Sequence, residues 1–116
     1  MAITNTRGKI SSACPADTDE VQLYSVPAGT EIDAVLRISN IDSVPSSYSI
    51  YHCSANHGDN ASIVTDTIAP DVDIDPKGST PHEYSIHAGP TETIRVKSGS
   101  ANNIIFHLSG NKKMVA

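Results

Sequence analysis

Apolar and polar residues alternate along most of this chain in short runs, broken at brief intervals by Gly, Pro and Asn. The clearest run is Glu31–Ser39. Ile32, Ala34, Leu36 and Ile38 fall on one face, and Glu31, Asp33, Arg37 and Ser39 on the other. That period of two predicts a half-buried antiparallel strand. Upstream, VQLYSV places Val21 and Leu23 on one side and Gln22, Tyr24 and Val26 on the other, and Pro27-Ala28-Gly29 is a turn. Downstream, Asn40–Ser46 breaks the pattern through Asp42, Ser43 and Pro45, and Ser47–Cys53 alternates again with strand-favouring Tyr and Ile.

The second half repeats this grammar. Ser54–Asn60 is a polar loop, and the β-branched residues of Ala61–Ile68 favour a short strand. Pro70–Pro76 sets Val72 and Ile74 against Asp71, Asp73 and Asp75. Strands are expected at Ser79–His87, around Ile94 and Val96, and at Asn103–Ser109, where Ile104, Phe106 and Leu108 point inward and Gly110 ends the run. With no helical period and no internal repeat, the expectation is an all-β fold: an antiparallel β-sandwich, jelly-roll-like, of seven to eight strands. The organisation reads as a polar N-terminal arm (1–18, with a short strand at Lys9–Ala13), a sandwich domain (19–110) and a C-terminal tail (111–116).

Composition narrows the function. With 116 residues there is room for one core, and with 38% apolar residues, one Phe and no Trp that core rests on Ile, Val, Leu and Ala. So few aromatics argue against a deep small-molecule pocket. Thirteen acids face eight bases, and the only adjacent basic pair is Lys112-Lys113. A nucleic-acid partner, which needs a clustered cationic footprint, is therefore not expected. Neither is a membrane partner, since no apolar run approaches the length of a span. Cys14 and Cys53 could pair only if the N-terminal segment lay beside the strand ending at Cys53; two thiols are the simpler expectation.

The groupings that could carry chemistry are weak. Asp71, Asp73 and Asp75 share the spacing of a cation-binding face, but a calcium loop counted from Asp71 finds Pro76 and His82 where it needs Gly and a carboxylate. An acidic guard on an edge strand explains the row as well. His82, Glu83 and His87 miss the two-histidine zinc spacing, and on a strand the histidines face opposite ways. His57 and Asp59 sit in a turn-like HGDN loop with no nucleophile elbow nearby, and His52 and Cys53 are neighbours on opposite faces. No catalytic, cofactor or metal site is expected. Tyr24, Val35, Tyr51 and Ile105 fall on faces that ought to be wet; either the face assignment is off or they form a subunit interface.

The order of motifs resembles a known family. LYSVPAGTEIDAVLRISN (Leu23–Asn40) is similar to the opening of small virion proteins of tailed phages: a strand, a Val-Pro-Ala-Gly turn, and an alternating strand ending near Asn. DIDPKGSTPHEYSIHAGPTETIRVKSGSANNIIFHLSG (Asp73–Gly110) resembles their second half, closing on an x-I-x-F-x-L-S-G strand. Only Ser54–Ile68 and the acidic run fall outside the likeness. It implies a β-sandwich head-decoration (cement), head–tail or tail-associated protein, without catalytic residues. Such a protein would be made in the host cytoplasm and sit in the virion, on the outer capsid surface in the first reading. Its partners would be further copies of itself, as a dimer or trimer, and the major capsid protein. A tail, baseplate or fibre component recognising the host through Tyr24, Tyr51 and the HGDN loop is the alternative.

Overall fold

The structure, a computed structural model, describes residues 3–53, 67–78 and 80–115. Among them every regular element is a strand: β1 (Ile3–Ala13), β2 (Val21–Ser25), β3 (Thr30–Asn40), β4 (Ser46–Cys53), β5 (Thr67–Ile74), β6 (His82–Ala88), β7 (Thr93–Ser98) and β8 (Ile104–Val115). They form two four-stranded antiparallel sheets, ordered β1-β8-β3-β6 and β2-β7-β4-β5. Only β4 and β5 are consecutive strands that also pair; every other connection passes between sheets. This is the jelly roll, two interlocked Greek keys in a sandwich.

Alternation drives the packing. Ile32, Ala34, Leu36 and Ile38 of β3 are buried against Ile104, Phe106 and Leu108 of β8 and Ile86 and Ala88 of β6, and Ile50, Ile94 and Val96 of the other sheet close the core. Each of the Ile, Leu, Val and Phe side chains contributes about 1.5–3 kcal/mol on leaving water. Tyr48 of β4 meets Phe106 edge-on, with ring centroids 6.4 Å apart. Its phenol oxygen lies 2.6 Å from Nδ1 of His82 and 2.6 Å from the Tyr84 hydroxyl, tying the two sheets together on the β6 side. Burial foremost, then the bond with Tyr84, pushes the Tyr48 phenol well above the ordinary tyrosine range.

Several sequence expectations change here. Gly110 does not stop the last strand, which continues to Val115 and pairs with β1 on one side and β3 on the other. Its own geometry explains it: a Cβ at Gly110, where φ is +156°, would meet the Asp33 carbonyl oxygen at 2.2 Å and the Ala34 Cα at 2.6 Å. Glycine is what lets β3 and β8 approach. The region read as an arm is mostly β1, whose polar sequence suits an outermost strand. Within it the Ser11 hydroxyl donates to the Leu23 carbonyl at 2.6 Å, and Ile10 and Ala13 pack on the core.

Val26 is buried rather than exposed, because a register shift between Gln22 and Tyr24 turns the following residues over. β5 runs straight through Pro70, which an edge strand tolerates. The cysteines lie apart as thiols, Cys14 exposed and Cys53 buried.

Candidate functional site

Chain direction alternates from strand to strand, so the connections fall at two ends of the sandwich. At one end the β3–β4 connection, residues 41–45, is held from several sides. The Asn40 Nδ2 donates to the Val44 carbonyl at 2.8 Å and to the Ile74 carbonyl at 3.5 Å. The Asp42 N–H returns to Asn40 Oδ1 at 2.9 Å, and the Ser43 N–H donates to Asp42 Oδ1 at 2.7 Å. Asn103 holds the loop through two bonds: its carbonyl accepts from the Ile41 N–H at 2.9 Å, and its Nδ2 donates to Asp42 Oδ2 at 2.9 Å. The Lys77 N–H donates to the Asp42 carbonyl at 2.8 Å.

On this fixed frame two apolar side chains face solvent, Ile41 at 47% and Val44 at 58% exposure. A loop tied down by Asn40, Asp42 and Asn103 while its aliphatic groups turn outward resembles the anchor of a binding surface. By sequence these residues read only as a turn. The signal available was Ile and Val beside Asn40 and Asp42, in a turn where polar residues are the norm.

The residues singled out from sequence are scattered. Asp71, Asp73 and Asp75 are all exposed along or just beyond β5, an edge strand. Asp71 lies within a register shift with φ of 43°, its N–H donating to the Ser49 hydroxyl at 2.8 Å. Among the described residues no group of three His, Cys, Asp or Glu side chains converges. His82 and His87 lie on opposite faces of β6: His82 faces Tyr48, whereas His87 bonds Asp33 of β3 through its Nδ1. Glu83, on the outer face with His87, meets Arg37 at 3.5 Å.

His52 and Cys53 also diverge. The His52 Nε2 lies 3.0 Å from Glu92 Oε1, which accepts the Gly89 N–H at 2.6 Å. That backbone bond first, and His52 after it, holds the Glu92 carboxyl below the usual glutamate range against the opposing effect of burial. His57 and Asp59 lie outside the described residues. Of the apolar set, Tyr24 packs partly onto the core and Tyr51 lies on the outer face of its sheet, opposite Arg95. Val35 and Ile105 belong to the outer face of the other sheet, where their partners on neighbouring strands are serines. The four therefore do not join into one patch.

Open depressions mark each sheet's outer side. One is lined by Glu31, Asp33, His87 and Lys113. Another is lined by Ser47, Tyr51, Pro70 and Lys97.

No protein-family model and no curated protein matches the chain. Among solved structures, the chain is similar to that of infectious bursal disease virus, Gx strain, with 12% identity over 97% of this chain and 31% of the other, at a TM-score of 0.46. It is also similar to the VP2 subviral particle of infectious bursal disease virus, with 13% identity, 97% and 32% coverage and a TM-score of 0.38. The chain thus spans about a third of the length of these viral proteins.

Proposed function

We propose that this chain is a non-enzymatic structural protein of a virus particle, a cement or decoration protein that seats on the outer capsid shell of a tailed phage and bridges capsomers. The observation that carries the reading is the rigid apolar loop at Ile41–Val44, set at one end of a stiff sandwich. It offers a preformed hydrophobic anchor with little ordering entropy left to lose on docking. The motifs that resemble phage virion proteins build most of the strands around it, in β2, β3, β6, β7 and β8. An acidic body, −5 overall, suits the outside of a capsid better than its DNA-facing side. Three of the described histidines, His52, His82 and His87, bond tyrosine or carboxylate side chains, an arrangement that supports structure rather than a nucleophile.

Gold-labelled antibody on purified virions tests the location. Label spread over the head, together with loss of heat or osmotic resistance in particles lacking the protein, is the expected result. Label confined to the tail would replace this reading with a tail or baseplate role, and an unlabelled particle would overturn both.

A further inference from the structure

Edge strands are where a sheet can accept another chain, and proteins blunt them with short length, Pro, bulges or charged side chains, Lys above all. Three of the four edges here are blunted. β1 carries Gly8, Lys9 and a register shift between Lys9 and Ser11. β2 has only five residues and a shift of its own, and β5 carries Pro70 and two shifts. Of these devices β6 carries only the charge of Glu83. It pairs with β3 in unbroken register from His82 to Ala88, and its sequence HEYSIHA contains no Gly, Pro or Lys. Among the described residues no strand pairs with its other edge.

The sequence of β6 is also self-complementary about Ser85. A second β6 laid antiparallel on the first, with the two Ser85 residues opposed, sets Glu83 against the partner's His87 and Tyr84 against the partner's Ile86. Opposite-charge and aromatic–aliphatic cross-strand pairs are the stabilising kinds. The match extends into the sheet, because Arg37 already opposes Glu83 and Asp33 opposes His87 across β3 and β6. Crossing the seam on the outer face, the row would read Arg37, Glu83, the partner's His87, the partner's Asp33. When the imidazole is protonated the signs alternate throughout. The two-fold axis generates the same row a second time.

We infer that β6 is a homodimer interface: two copies of this chain join edge to edge about a two-fold axis at Ser85, making one continuous eight-stranded sheet. Such an interface is isologous and closed, so it yields dimers and not filaments. The inference deepens the self-association in the proposed function and rests on it, yet its test needs no virus particle.

Sedimentation equilibrium of the whole chain should give a dimer. In a Cys14→Ser background, Ser85→Cys places two thiols opposite each other at about 4.5–5.5 Å between Cβ atoms and should form a disulfide-linked dimer on mild oxidation. Glu83→Cys alone should not cross-link, but a mixture of Glu83→Cys and His87→Cys proteins should. Ser85→Lys, which opposes two like charges on an exposed face, should weaken the dimer severalfold while its circular dichroism and melting stay those of a folded domain. A monomer, a trimer, or a Ser85→Cys protein that cross-links no better than Glu83→Cys overturns the inference. A monomeric protein that still decorates heads would do so while leaving the virion reading intact.

Discussion

At the scale of single residues, two positions carry more than their size suggests. Gly110 sits on β8 directly against the β3 backbone, and the atom a larger residue would add meets backbone that cannot move aside without opening the sheet. Gly110→Ala should therefore cost at least about 2 kcal/mol in urea unfolding, with an unchanged slope. Among the described residues, Tyr48 is the one apolar-core side chain with two side-chain polar partners from the other sheet. Tyr48→Phe keeps the ring packing but strips the hydroxyl from His82 and Tyr84, and a loss of about 1–2 kcal/mol is expected. Neither role could be read from the chain. A lone Gly after an alternating run signals a stop as readily as a close approach, and Tyr48 reads as one more strand aromatic until its opposite neighbours are known.

At the scale of elements, the two ends of the sandwich are built differently. The Asn40–Ser46 loop is fastened by side chains, so Asn40→Ala should cost about 1–2 kcal/mol and loosen the loop, visible as faster amide exchange at residues 41–45. Ile41→Ser and Val44→Ser should leave stability within about 0.5 kcal/mol, because both side chains are solvated, and should instead reduce retention of the protein on particles.

At the other end the turn after β6 is fastened by a carboxylate. Glu92 titrates below its ordinary value of 4.5, so its ionised form stabilises the fold above that pH, and the gain fades as pH falls through the lowered folded value. Glu92→Gln should accordingly lower the melting temperature at pH 7, and the gap to wild type should narrow below pH 4.5. β3, β6 and β8 were legible because one face of each meets the core and the other meets water. β1 was not, since an edge strand with mostly exposed residues has no alternation to show, and β5 was masked by a proline that only an edge can hold.

At the scale of the whole molecule, the all-β class followed from turn spacing and the missing helical period. Strand order did not, because alternation says which face is buried and never which neighbour lies alongside. The charge pattern was only half visible for the same reason. Arg7, Lys9, Lys112 and Lys113 look scattered along the chain, yet β1 and β8 lie side by side and carry no acid between them.

The pairing of β1 with β8 also orders events during synthesis. The second strand of that pair leaves the ribosome about a hundred residues after the first. Until then β1 waits without its neighbour, and β3 lacks one of its two. In a nascent chain the sandwich stays incomplete until β8 is made, then closes by pairings distant in sequence, the kind that make folding slow. Polar, charged β1 is well suited to that wait, since an apolar strand exposed for so long would invite aggregation with its neighbours on the polysome.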